Sequence, residues 1–117
     1  MVDKPLLLIV EDEPDLLELF TTVLTEAGYR VETAADYSTG AVLLSASSPA
    51  LLIANMLLPG GDGRQLAELA SRSGIPTLLV SGDSAATVPK QRGVAFLSKP
   101  FRAADLQRAI DDLLHGI

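Results

Sequence analysis

No cysteine occurs in this chain, so disulfides and thiolate metal sites are excluded and a reducing compartment fits. Tryptophan is missing too, and aromatic residues make up only 4% of the sequence. That leaves nothing from which to build a base-stacking platform. Basic residues are scarce, 9 against 15 acids, for a net charge of −6. Such a surface repels phosphate backbones, so no direct contact with nucleic acid is expected and a partner protein or a cation suits it better. No apolar run approaches the roughly 18 to 20 residues of a membrane span. The opening residues, MVDKPLLLIVEDE, set a short apolar core directly against acids, the wrong order for a signal peptide. A cytoplasmic protein with no membrane association is expected.

What is present is a sequence that should fold. Its 117 residues are 48% apolar, which suits one domain over 1–117 with a real core. Five short apolar stretches read as strands: Leu6–Val10, Val31–Ala34, Leu51–Ala54, Thr77–Val80 and Ala95–Leu97. Between them the spacing turns helical. Leu16, Leu19, Phe20, Val23, Leu24 and Ala27 share one face of a first helix, opened by Glu13, Pro14 and Asp15 and closed by Gly28. Asp36 is placed to cap a helix through Leu44, and Asp62 another through about Ala70. A last helix from about Ala103 to His115 turns Leu106, Ile110, Leu113 and Leu114 inward. Strands alternating with helices imply an α/β fold, a parallel sheet covered on both faces by right-handed crossovers. Between the fourth and fifth strands, SGDSAATVPKQRGV has Pro89 and Gly93, so its crossover helix is expected to be short, irregular or absent.

The stretch LLIANMLLPGGDG, residues 51 to 63, holds the central question. An apolar strand ends on Asn55 and a glycine-rich loop follows. In open α/β sheets chemistry gathers beyond the carboxyl ends of the strands. Other strands deliver Glu11 and Asp12, Ser81, and Lys99 to the same edge. Two acids, a hydroxyl, an ammonium and an amide are the parts of a site for a hard cation beside an anionic group. Carboxylates hold Mg²⁺ through oxygen, lysine supplies a point positive charge, and a hydroxyl donates to the anion.

The four segments LLLIVEDE, LLIANMLLPGGDG, TLLVSG and FLSKPF, in this order and each at a strand end, resemble the receiver domain of two-component response regulators along essentially the full chain. The resemblance implies a doubly wound five-stranded parallel sheet in the flavodoxin-like order 2-1-3-4-5. It implies a Mg²⁺ site from Asp12 directly, Glu11 through water, the residue at position 55 and the backbone carbonyl of Leu57. Ser81 is similar to the switch hydroxyl and Lys99 to the lysine that pairs with the phosphoryl group, with Lys99–Pro100 typically cis. Phe96 matches the switch aromatic, and Pro59, Gly60 and Gly63 the loop that shapes the pocket. The implied partners are a histidine kinase or a phosphotransfer protein, with a fused kinase or output domain as a further possibility. A weak homodimer through the fourth-helix face is also implied, subject to that helix being formed. The short fourth crossover leans toward receivers of hybrid kinases.

Asn55 stands where the family requires the phosphoacceptor aspartate. An amide oxygen is a very poor nucleophile, so no phosphoryl transfer to position 55 is expected, the chain is not expected to be an enzyme, and Mg²⁺ binding should be weakened. Two accounts stay open: a natural pseudo-receiver, or an Asp→Asn replacement that locks the receiver unphosphorylated.

Blander readings exist for each part. Glu11 and Asp12 suit a helix start, Ser81-Gly82 a turn, Lys99-Pro100 a strand stop, and Asp62 a simple cap. His115 and the arginines 102 and 108 read as solvated helix residues. Taken together and in register, the four segments outweigh these. Two rival functions remain to be separated by experiment. A small Mg²⁺-dependent phosphohydrolase with an aspartate nucleophile would place Asp-x-Asp after the first strand, where the chain reads Glu11-Asp12-Glu13; it would turn over a generic phosphate ester. A flavodoxin-type nucleotide binder would need G-x-G-x-x-G after a strand or a Gly-rich phosphate loop opening a helix, and the sequence offers neither; it would copurify with a flavin or dinucleotide.

Overall fold

The computed structural model describes residues 4–82 and 93–115. Five strands form one parallel sheet: β1 (Leu6–Val10), β2 (Arg30–Ala34), β3 (Leu51–Asn55), β6 (Thr77–Ser81) and β7 (Val94–Ser98). Their spatial order is β2-β1-β3-β6-β7. Counting only these five along the chain, the order is 2-1-3-4-5, as the resemblance implied. Four helices cover the sheet among the described residues: α1 (Pro14–Glu26), α2 (Tyr37–Ser47), α3 (Gly63–Arg72) and α4 (Ala103–Leu114). The crossover helix expected within 81–94 falls mostly on residues 83–92, which lie outside the described residues, as does that helix's share of the pairing face.

Near-continuous apolar strands make sense only in a sheet buried on both sides. Successive side chains point to opposite faces, and the core divides accordingly. Leu8, Val10, Leu52, Ala54 and Leu79 pack with Leu44, Leu66 and Ala70 under α2 and α3. Leu7, Ile9, Leu51, Ile53, Leu78 and Val80 pack with Phe20, Leu24, Leu106 and Ile110 under α1 and α4. The registers Leu8↔Leu52 and Ala54↔Leu79 keep those rows aligned across the sheet.

Local chemistry sets the helix ends. Pro14 occupies the first helical position of α1, and Gly28 follows its end at φ 98°. The Asp36 carboxylate accepts the Thr39 N–H at 2.7 Å. α2 then runs to Ser47, beyond the expected Leu44, and stops at a left-handed Ser48 before Pro49. α3 opens with a reciprocal cap: Asp62 accepts the Arg64 N–H at 2.7 Å, and the Asp62 N–H donates to Gln65 Oε1 at 2.9 Å. One element was not expected from the sequence. The loop after β3 folds into a small antiparallel hairpin, β4 (Leu57–Leu58) against β5 (Gly61–Asp62), turned at Pro59 and a positive-φ Gly60.

Candidate functional site

The parallel sheet aims all five carboxyl ends one way, and its order puts β1, β3 and β6 side by side at the centre. The residues just past those ends therefore face one another. Glu11 follows β1 and is buried, its main chain held by Glu11 N–H to the Ala34 carbonyl at 3.0 Å. Asn55 ends β3, half-buried. Ser81 ends β6, buried, and its carbonyl accepts the Lys99 N–H at 2.8 Å, which sets Lys99 beside it on the neighbouring strand.

Lys99 is the hub. Its Nζ donates to Glu11 Oε1 and to Asn55 Oδ1, each at 3.3 Å. The second Glu11 oxygen accepts the Glu13 N–H at 3.1 Å, at the start of α1. Asn55 Nδ2 donates to the Leu57 carbonyl at 2.9 Å. This pattern also fixes the orientation of the amide, since the reverse placement would set its NH₂ against an ammonium and its oxygen against a carbonyl. Asp12 is exposed at the rim. Burial pushes the Glu11 carboxyl above its usual range; the Glu13 N–H and the Lys99 ammonium pull it back down, and the nearby Asp12 adds to the rise. An ion pair with one partner 1% exposed and the other 24% exposed keeps more of its Coulomb attraction than a surface pair would.

Backbone contacts make this corner stiff. The Met56 N–H donates to the Val80 carbonyl and the Gly63 N–H to the Met56 carbonyl, both at 2.9 Å. A Cβ on Gly63 would sit inside hydrogen-bonding distance of the Asn55 carbonyl oxygen, so only glycine lets α3 start this close to the end of β3. Lys99–Pro100 is cis. Phe101, just beyond, stacks on Phe20 of α1 with ring centroids 5.4 Å apart. Phe96 lies half-buried on β7, packed against the core under α2 and α3.

The structure thus brings Glu11, Asn55, Leu57 and Lys99 into one hydrogen-bonded group, with Asp12 and Ser81 at the adjoining strand ends. Sequence reasoning named Glu11 but missed that its second oxygen is held by the Glu13 N–H just before α1, and it missed Tyr37 altogether. Tyr37 lies over the loop: its N–H donates to the Pro59 carbonyl at 3.0 Å, and its ring occupies the space a Cβ on Gly61 would need. The paired glycines were a visible signal of a close neighbour, but not of which one.

The oxygens of Asp12, Glu11, Asn55 and Leu57 are hard donors of the kind Mg²⁺ takes. Three of them already hold N–H partners, leaving Asp12 the most available. Among the described residues no group of three or more Asp, Glu, His or Cys is arranged to hold a metal ion. No helix among them is long and apolar enough to cross a membrane.

Comparison with known proteins agrees with this geometry. The transcriptional regulatory protein GlrR of Escherichia coli K12 is 36% identical over 97% of this chain, which spans 27% of that relative's length. A putative response regulator from Chloroflexus aurantiacus superposes with a TM-score of 0.86 at 30% identity, covering 97% of this chain and 99% of that one. A CheY-like receiver domain protein from Methanospirillum hungatei gives the same TM-score at 27% identity, covering 97% and 95%. Residues 7–111 match the family described as the response regulator receiver domain. With its 2-1-3-4-5 sheet, its pocket at the central strand ends and that match over most of its length, the chain belongs to the response regulator receiver domain family of two-component signalling.

Proposed function

We propose that this domain, over residues 1–117, is a receiver module that works by docking to a partner protein and takes no phosphoryl group at position 55. Receiver domains interact with histidine kinases or phosphotransfer proteins and are generally not enzymes; the same partner classes and the same non-catalytic role are proposed for this chain. The observation that carries the reading is Asn55 at the end of β3, inside a pocket whose other parts are kept. A carboxylate in that place attacks a phosphohistidine and becomes an acyl phosphate. The amide oxygen is neutral and shares its electron density with nitrogen, so attack through it would leave a cationic product beside the Lys99 ammonium. Ser81 and Lys99 are the proposed phosphoryl-contact positions, and Phe96 the switch aromatic. In this chain the Lys99 ammonium is already engaged by Glu11 and Asn55.

Mg²⁺, when bound, would neutralise charge between the pocket and an incoming phosphoryl group. Asp12, Asn55 Oδ1 and the Leu57 carbonyl would hold it, with Glu11 acting through water. Binding is proposed to be weaker than with aspartate at 55, because one negative charge is gone and the oxygens must release N–H donors. For docking, a cavity of about 260 Å³ opens beside Lys99, lined by Glu13, Leu16, Leu19, Pro100 and Phe101. Leu19 is half-exposed there, an apolar contact ready for a partner helix. The relative's name places it in transcription; a transcriptional output is a proposal for a longer protein that would use this domain as its input, while the acidic domain itself argues against direct contact with nucleic acid.

The test is intact mass after incubation with Mg²⁺ and a small-molecule phosphodonor, for the chain and for Asn55→Asp. Uptake by Asn55→Asp alone supports the reading. Uptake by the unaltered chain refutes the silence of position 55, and uptake by neither shows that the pocket has lost phosphoryl chemistry beyond Asn55.

A further inference from the structure

The Asn55 amide has two ends, and they do different things. Its oxygen accepts from Lys99 at 3.3 Å, as a carboxylate oxygen would. Its nitrogen donates to the Leu57 carbonyl at 2.9 Å, which no ionised carboxylate can do. With aspartate at 55, two acceptor oxygens would face each other across this gap, and something positive would have to lie between them. The amide N–H already lies there. Asn55 also leaves Lys99 facing one carboxylate, Glu11, where aspartate would make two. The pull on a cation is thereby reduced, and so is the need for one.

We infer that the Asn55 NH₂ group stands in for the divalent cation, holding the Leu57 loop in its pocket conformation with no metal bound. The inference deepens the proposed function and rests on its placing of Asn55 at the phosphoacceptor position. Leu57 is the residue through which the effect reaches the surface. Its carbonyl accepts the Asn55 bond, its main chain pairs with Asp62 in the β4–β5 hairpin, and its side chain is 78% exposed. The hairpin in turn is seated by the Tyr37 N–H on Pro59 and by the Gly63 N–H on Met56. The surface around Leu57 is therefore presented to a partner whether or not Mg²⁺ is available, whereas in Asn55→Asp its presentation depends on the ion.

Amide hydrogen exchange of the ¹⁵N-labelled chain tests this, with residues 57–63 followed in EDTA and again in millimolar Mg²⁺. The unaltered chain should exchange at the same rate in both. Asn55→Asp should exchange about tenfold faster in EDTA, the loss expected for one charge-opposed hydrogen bond, and recover with Mg²⁺. Asn55→Ala, which removes both ends of the amide without adding charge, should be faster in both conditions. A Mg²⁺-dependent slowing in the unaltered chain overturns the inference, and so does an Asn55→Asp loop as protected in EDTA as its parent. Phosphoryl uptake by Asn55→Asp is read separately by mass. Phosphoryl uptake by the unaltered chain would sink the proposed function, while a loop that responds as stated would leave the amide's role standing.

Discussion

Replacing Gly63 with alanine should cost this domain about 3 kcal/mol, the upper end of what overpacking a filled site costs. A Cβ there would overlap the Asn55 carbonyl oxygen, lie 2.9 Å from the Asn55 carbonyl carbon and 3.2 Å from Met56 Cα. All three are backbone atoms, so no rotamer change can relieve the contact. Nor can the strand end give way cheaply. Asn55 is paired with Val80 in the sheet register, the Met56 N–H is bonded to the Val80 carbonyl, and the Gly63 N–H is bonded to the Met56 carbonyl. Backing α3 away from β3 would stretch those bonds together and draw Leu66, fully buried, off the sheet. Against a total of roughly 5–15 kcal/mol, the loss should lower the thermal midpoint by about 10 °C. Urea and thermal unfolding followed by circular dichroism would measure it. Gly82→Ala is the matched control: among the described residues nothing lies within 4 Å of its Cβ, so a change within about 0.5 kcal/mol is expected. If Gly63→Ala unfolds within that same margin of its parent, the argument for a forced close approach is wrong.

Lys99→Met leaves the Glu11 carboxylate buried without its cation and should destabilise by about 2 kcal/mol at neutral pH, discounted from the value for a fully buried pair because Lys99 is partly exposed. Burial already holds the Glu11 carboxyl above its usual range, and loss of Lys99 raises it further. The folded variant thus binds the proton more tightly than the unfolded chain, so its stability is greatest in acid and falls as pH rises through the raised value. Urea midpoints should diverge progressively from the parent as pH rises above the ordinary carboxylate range; a gap independent of pH would count against this. Asp62→Ala should cost about 1 kcal/mol through loss of the α3 cap, with the opposite trend. Arg64 holds the Asp62 carboxyl below its usual range, so the contribution is present above that range and disappears as pH falls through the lowered value. Parent and variant should converge in strong acid, and a difference that persists there would exclude an ionised cap.

The sheet was legible because its physics is written in runs. The central stretches Leu6–Val10, Leu51–Ala54 and Thr77–Val80 are near-continuous apolar runs that read as strands covered on both faces, and all five stretches lie within a residue or two of their observed spans, the more polar Val31–Ala34 on the sheet's edge. The caps at Asp36 and Asp62 and the stop at Gly28 were equally readable, since each satisfies orphan donors or a left-handed turn with a residue suited to it. The helix ends at Ser47 and Arg72 were not, because tertiary packing of Leu44, Leu66 and Ala70 carries them past the last sequence signal. In the pocket, residue types at strand ends told which groups would meet, but not their valences. That Lys99 bridges Glu11 and Asn55 while the amide nitrogen turns to Leu57 depends on which way one planar group faces, and only its three-dimensional neighbours decide that. The β4–β5 hairpin escaped for a related reason: two-residue strands have no period to detect.

The ring of Tyr37 over the Gly60–Gly61 turn has a practical consequence. The chain has no tryptophan and two tyrosines. The other, Tyr29, hydrogen-bonds Asp111 on α4 at 3.3 Å, away from the pocket-side loop. Ultraviolet emission from this domain therefore comes from two well-separated fluorophores with no indole to mask them. Tyr29→Phe would leave one, resting on the loop whose order depends on Asn55, and the domain would carry its own optical gauge of that loop without any dye.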